Sequence, residues 1–359
     1  MTEPSPGQLS PGQPSPGQAS PGQPAGPRKP LGPLALARGT LDRAAHHRGD
    51  ADWVAKAWAD PGTRVLVVHD GRALVRFTGS GASLVLLPPD QAPDGLRILQ
   101  GVDAEGDAYF AVLAPLPPAE PAPGPEPGRG AEPADRGQLA ELAGHTVAAG
   151  LRRVGTLLDD RDAGLLTEAV ALSNWHATHT HCPRCGTPTN PIMSGHARLC
   201  PKDGSEHFPR TDPAVIMLVT DPDDRILLGR GPSWGARRMS VLAGFVEPGE
   251  SAEQAVAREV AEEAGIAVGH VRYLGSQPWP MPRSLMLGYQ AVAAAGQSIA
   301  VDEDEIGEAR WFSRAEMRAA IDAGELGIAP SSSIARRLIE YWYGAELPDG
   351  TAGWAAPAR

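Results

Sequence analysis

The chain has 359 residues, with 32 Lys and Arg against 43 Asp and Glu, for a net charge of −11. That length allows two or more domains, each with its own core, and the acidic balance argues against general adhesion to nucleic acid or to an anionic membrane surface. Three cysteines are an odd number and too few for a disulfide framework, which points to a reducing compartment.

The first segment, 1–30, repeats Ser-Pro-Gly-Gln four times between residues 5 and 23 and reads as a flexible tail that buries no core. Its start, "MTEPSPGQLS", lacks the basic and apolar regions of a signal peptide, and no apolar run approaches the roughly 18 residues that span a bilayer. A cytoplasmic protein without membrane attachment is expected. From residue 31 the composition turns globular. "TRVLVVHDGRALVRF" predicts two strands about an Asp70-Gly71 turn, and "SLVLLPP" and "LRILQGVDAEGDAYFAVLAP" continue the β pattern. A Pro-rich insertion at 115–137 interrupts. Apolar residues at helical spacing from Leu139 through "LLTEAVALSNWHATH" then predict helices. Residues 31–178 are assigned to one N-terminal α/β domain.

Next come two matching pieces, "CPRCG" and "CPKDG", within 179–212. Cys182, Cys185 and Cys200 supply three thiols, and Asp203 stands where a fourth cysteine would fall. Zinc favours four ligands, and an aspartate oxygen is acceptable beside thiolates. His207 competes for the fourth place, and a ribbon of reduced thiols that has lost its metal is the bland alternative. The segment reads as structural, because no catalytic zinc motif such as HExxH is present.

From 213 the alternation in "PAVIMLVTD" and "RILLGRG" predicts two strands. "REVAEEAGI" follows, on a helix opened by a Ser251/Gln254 capping box and closed by Gly265. Positions i, i+3 and i+4 share a face, so Glu259, Glu262 and Glu263 crowd together with mainly Arg258 to compensate them. A Glu-rich face is usually solvated surface, but here a glycine-bounded loop leads into it. Clustered carboxylates select hard divalent cations such as Mg²⁺ or Mn²⁺, which bridge to phosphate oxygens.

Counting outward, Gly244, Glu250, Arg258-Glu259, Val260, Glu262-Glu263, Gly265 and Ile266 fit Gx5Ex7REUxEExGU, where U is bulky and apolar. The segment resembles the Nudix box. "SQPWPMPRS" at 276–284 further resembles SQPWPFPxS, the mark of the NADH pyrophosphatase subfamily of Nudix hydrolases, with Met281 in place of the usual Phe. Taken alone, its three prolines make a stiff loop, on which Trp279 could stack on a base or simply pack. The resemblance covers most of 170–343 and reaches 31–169 only in general layout.

The resemblance implies an α+β fold, a Nudix α/β/α sandwich with a mixed sheet at 213–345, preceded by a zinc ribbon and followed by a C-terminal tail at 346–359. It implies hydrolysis of NAD(H) to NMN(H) and AMP, with removal of NAD caps from RNA 5′ ends by some members. Glu259 and Glu263 are then the principal metal ligands, Glu262 a further ligand or water activator, and Glu305 another ligand. Glu250 and Arg258 orient the helix and its loop. Phe208 and Phe245 fall where aromatics flank the dinucleotide, while Gln277, Trp279, Ser284, Met286 and Ala335 match other pocket positions. A homodimer is implied as well. Two other functions are weighed against this one: a Nudix hydrolase of another nucleoside diphosphate such as ADP-ribose, and a nucleotide-sensing module that does not cleave.

Overall fold

The computed structural model describes residues 31–118 and 142–348. The SPGQ tail, all but the start of the Pro-rich insertion and the end of the C-terminal tail lie outside the described residues.

The N-terminal part opens with helix α1 (Ala51–Ala59), whose first turn is capped by the Asp50 carboxylate accepting from the Trp53 amide at 3.0 Å. Strands β1 (Arg64–Val68) and β2 (Arg72–Phe77) flank Asp70 and Gly71, which take φ of 51° and 73°, as a two-residue turn requires. The two strands then part. With β3 (Ala82–Leu84), β4 (Leu86–Leu87), β5 (Leu96–Val102), β6 (Ala108–Leu113) and β7 (Thr146–Gly150), they form two sheets, ordered β4-β1-β6-β5 and β3-β2-β7.

Strand β7 corrects the expectation of helix from Leu139 onward. Gly144 takes φ of 85°, Thr146 and Val147 are β-branched, and β2 offers a strand edge that pairs with 146–150. Tertiary pairing overrides the apolar spacing. The helices follow as α2 (Leu151–Val154) and α3 (Asp160–Thr178). Leu166, Ala169 and Val170 of α3 pack with Val75 and Phe77 in the N-terminal core.

The ribbon is a three-stranded sheet, β8 (Asn190–Ile192), β9 (Ala197–Leu199) and β10 (Glu206–His207), ordered β10-β9-β8. It is fastened to α3 by the buried Arg198, which donates to Thr189 Oγ1 at 2.8 Å and to His176 Nδ1 at 2.9 Å. Burial, with Arg198 beside it, keeps His176 below its usual pKa, so a neutral ring accepts at Nδ1 and donates from Nε2 to the Gly195 carbonyl.

The C-terminal part comprises β11 (Asp212–Thr220), β12 (Ile226–Arg230), β13 (Leu242–Phe245), α4 (Ala252–Ala264), β14 (Val268–Trp279), β15 (Ser284–Ala293), β16 (Glu308–Phe312), α5 (Arg314–Asp322) and α6 (Ile334–Tyr343). The sheet runs β14-β15-β11-β12-β16, with β13 on β11. The β11–β15 pair is parallel and the rest antiparallel. Side chains alternate along β11, so Val215, Met217 and Val219 face Val256 and Val260 of α4 while Ile216 and Leu218 face Leu338 and Ile339 of α6. Both faces are covered, which explains why "AVIMLV" is apolar without interruption. This is the expected α/β/α sandwich with a mixed sheet.

Ser276–Trp279, expected in a loop, completes strand β14, and only 280–283 form the turn. β14 is an edge strand, where Pro278 removes no obligatory ladder bond. Leu34 lies in the core of the sandwich, whereas Leu36, two residues on, lies in the N-terminal core. At the other end Leu347 is buried rather than in a free tail, and the Arg336 guanidinium donates to the carbonyls of Leu347 and Pro348. No helix among the described residues is long and apolar enough to cross a membrane.

Candidate active site

Helix α4 carries the carboxylates. Its start is the reciprocal capping box of Ser251 and Gln254, and Gly265 ends it with φ of 68°. Because Val256 and Val260 face the sheet, Glu259 and Glu263 sit at the margin of the buried stripe and Glu262 points to solvent. Gly244 on β13 makes room for Glu259: a Cβ there would stand 1.8 Å from the Glu259 carboxylate carbon. Only glycine allows that approach.

Arg258 ties this cluster together. Its Nη2 donates to Glu250 Oε1 at 2.6 Å and to the Phe245 carbonyl at 2.9 Å, and its Nη1 donates to Glu259 Oε1 at 2.9 Å and Glu262 Oε2 at 2.8 Å. The Glu247 amide donates to Glu250 Oε1 at 2.8 Å. One planar fork thus pins the loop 245–250 to the helix. Its bonds hold the Glu250 carboxyl below the usual range and push Arg258 further up.

Glu263 is different. Its Oε2 is buried with no donor, and burial followed by the charges of Glu259 and Glu305 pushes its pKa up to about 8. Burial raises Glu259 too, against the pull of Arg258. Glu305 reaches the same field from an exposed position before β16. An orphaned carboxylate oxygen within a cluster of like charges fits a hard divalent cation, which would satisfy the one and relieve the other.

The remaining candidates are spread more widely. Phe208 and Phe245 are 64% and 59% exposed, unusual for large aromatics. Ser284 and Met286 lie on β15 opposite Trp279 and Gln277. Gln277 is buried and donates to the Ser332 carbonyl at 3.0 Å, and Ala335 is in the core. Trp279 packs against the N-terminal core with the Arg152 guanidinium 5.2 Å from its ring centroid. The structure therefore gathers Glu250, Arg258, Glu259, Glu262, Glu263 and Glu305, and places Gln277, Trp279 and Ala335 in packed surroundings.

In the ribbon, ligand atoms of Cys182, Cys185, Cys200 and Asp203 all lie within 4.8 Å of one another, the one group of three or more to converge so closely among the described residues. Cys185 Sγ stands 3.5 Å from Cys200 Sγ, and Cys182 Sγ stands 3.6 Å from Asp203 Oδ2. Tetrahedral zinc with Zn–S of about 2.3 Å needs ligand separations of about 3.8 Å, so the set fits. His207 stands outside it, with Nε2 3.1 Å from Ser205 Oγ. Ser205, passed over in the sequence, donates its amide to Asp203 Oδ1 at 2.9 Å and so orients the carboxylate. The Asp-Gly-Ser turn was the available signal. Burial opposes ionisation of Cys182, yet hydrogen bonds from Ser205 and from the Arg184 and Cys185 amides bring it down to about 6.

A mixed sheet between helices, with a carboxylate helix behind a glycine-bounded loop, defines a Nudix-type hydrolase. Family models match accordingly: the NUDIX domain over 210–330, the NADH pyrophosphatase zinc ribbon domain over 177–208, and the NADH pyrophosphatase-like rudimentary NUDIX domain over 62–175. The protein named NAD-capped RNA hydrolase NudC from Mycobacterium bovis is 40% identical over 326 residues, 87% of this chain and 95% of its own. Human NAD-capped RNA hydrolase NUDT12 is 42% identical over 197 residues, 52% of this chain and 42% of its own. A solved NUDIX hydrolase from Nitrosomonas europaea, 20% identical, aligns over 46% of this chain and 94% of its own with a TM-score of 0.37. The chain belongs to the NADH pyrophosphatase family of Nudix hydrolases.

Proposed function

We propose that this enzyme hydrolyses the diphosphate of NAD(H), giving NMN(H) and AMP, and removes NAD caps from RNA 5′ ends by the same cleavage. One observation carries the chemistry: the buried Glu263 oxygen without a donor, beside Glu259 and Glu305. A bare buried carboxylate oxygen among like charges is costly, and a cation that completes it removes that cost. The choice of dinucleotide is supported by full-length similarity to NAD-capped RNA hydrolases and by the "SQPWPMPRS" element.

Glu259 and Glu263 would hold the catalytic Mg²⁺ or Mn²⁺, with Glu262 and Glu305 as further ligands. That cation supplies Lewis-acid charge to the diphosphate oxygens. Arg258 and Glu250 act on position: they fix the loop 245–250, so that Phe245 is presented beside the carboxylates. Exposed Phe208 and Phe245 offer faces on which a base or nicotinamide ring stacks. Water adds across the P–O–P bridge, one phosphorus taking the hydroxyl oxygen and the other leaving with the bridging oxygen. Gln277 and Trp279, paired across β14 and β15 with Met286 and Ser284, would complete the substrate pocket together with Ala335.

Domain limits of 31–178, 179–212 and 213–345, a homodimer and a cytoplasmic location complete the proposal. Product analysis with NADH and Mg²⁺ or Mn²⁺ tests the activity: NMNH and AMP are expected, and release of ADP-ribose or inorganic phosphate would overturn it. For the ribbon, zinc is held by Cys182, Cys185, Cys200 and Asp203. Elemental analysis should find it, Asp203→Cys should slow its loss to chelators, and Asp203→Ala should speed it. Zinc loss in His207→Ala but not in Asp203→Ala would move the fourth ligand to the histidine.

A further inference from the structure

A cavity of about 500 Å³ shares no lining residue with the carboxylate cluster. It lies between β2, β7, α2 and α3 of the N-terminal part and the β14–β15 turn, whose Met281, Pro282 and Arg283 form one wall. Asn174 on α3 holds that wall in place by donating to the carbonyls of Pro280 at 2.8 Å and Pro282 at 3.2 Å. The volume is within the range of about 300–1,000 Å³ usual for small-molecule sites.

Two buried donor atoms on this cavity lack acceptors. Arg152 and Arg153 both line it, and neither forms an ion pair or a hydrogen bond among the described residues; the Nε of Arg153 is buried and unpaired. Trp175, only 4% exposed, lines it too, and its indole Nε1 is also buried without a partner. Burial holds both guanidinium pKa values below their ordinary value, and Asp70, the one carboxylate on the cavity lining, is exposed to solvent. Two half-buried cations side by side outweigh that single carboxylate and favour an anion that completes them. Arg283, on the opposite wall, is already neutralised by Asp212 at 2.7 Å and makes no such demand.

Val170, Met281 and Pro282 supply apolar lining beside the Trp175 ring. An acceptor-rich anion at one end and a flat apolar group at the other describe a phosphate ester of a ring compound. We propose that this cavity is a mononucleotide-binding site, with the phosphate on Arg152 and Arg153 and the base against Trp175 and the 281–282 wall. Arg is suited to that role because its planar fork matches phosphate oxygens. The site is separate from hydrolysis and stands or falls independently of it.

Calorimetric titration of the metal-free full chain with AMP tests the proposal. Two classes of AMP site per chain are expected, and inorganic phosphate should compete at the second. The double variant Arg152→Met/Arg153→Met should lose that second class, with affinity weakened at least tenfold, and keep the first. Ala177→Glu, at an exposed α3 position on the cavity rim, brings a carboxylate to the arginines without disturbing the core and should have the same effect. A single class of site in the wild-type chain would overturn the proposal. So would a second class that survives both Ala177→Glu and the double variant, or one that phosphate leaves untouched.

Discussion

Helix α3 in the N-terminal half and helix α4 in the C-terminal half each bury an acid, but the two acids are treated in opposite ways. On α3 the Asp162 carboxylate is fully buried and fully occupied: Oδ2 accepts from the Leu84 amide at 2.8 Å, and Oδ1 accepts from Arg161 at 3.0 Å. On α4, Glu263 keeps a buried oxygen with no donor. A satisfied carboxylate fastens a helix to a sheet, whereas an unsatisfied one is a seat for something absent from the chain. The half matched as a rudimentary NUDIX domain has kept the first kind, and the half matched as a NUDIX domain has kept the second.

Exchanging the two acids for their amides should break the comparison most sharply. Glu263→Gln is expected to lower turnover about 1,000-fold, roughly 4 kcal/mol of transition-state stabilisation, with the melting temperature kept or raised. Asp162→Asn should do the reverse, costing about 1–3 kcal/mol of stability in denaturant titration while turnover per folded molecule is kept. Equal loss of stability in both variants would erase the distinction.

Arg258→Lys is the next test. A lysine cannot span Glu250, Glu259, Glu262 and the Phe245 carbonyl at once, so kcat should fall about 10- to 100-fold with metal affinity little changed. Arg161→Lys, beside Asp162, should leave kcat alone.

Acid titration sharpens the contrast further. The folded-state pKa of Glu263 is raised to about 8, so its contribution to stability is complete below the ordinary glutamate value of about 4.5 and is lost as pH rises through about 8. Metal-free protein should therefore melt at a lower temperature at pH 9 than at pH 6. Glu263→Gln should flatten that slope, and a slope that persists in this variant would place its origin elsewhere.

The smallest effect is expected where the halves meet. Trp279 is half-buried against the N-terminal core under Arg152, so Trp279→Ala should cost about 1–2 kcal/mol of stability. A KM for NADH that rises severalfold without such a loss would assign Trp279 to the substrate pocket alone.

Helix α4 could be read in advance down to its caps, because the capping box, the closing glycine and the two-faced apolar spacing are local features. The ribbon could be read for a similar reason, its two knuckles repeating residue by residue. Strand β7 could not: "HTVAAG" becomes a strand only because β2 presents an edge to it. The hydrogen bond from Arg258 to the Phe245 carbonyl spans thirteen residues and leaves no periodic trace. The unpaired indole of Trp175 was equally hidden, since burial without a partner is a property of surroundings rather than of residue type.

Leu34 and Leu36 carry a practical consequence for dissection of the chain. A fragment cut at the family boundary near residue 210 would contain the whole sheet and every candidate carboxylate of the active site, yet its core would be missing a plug contributed from almost 180 residues upstream. The gap would open beside Ile334 and Leu338, on the face of the sheet opposite α4. Modules that are contiguous in sequence are not self-sufficient in space here. A usable minimal hydrolase would have to carry residues 31–36 back to their place, by fusion or by added peptide.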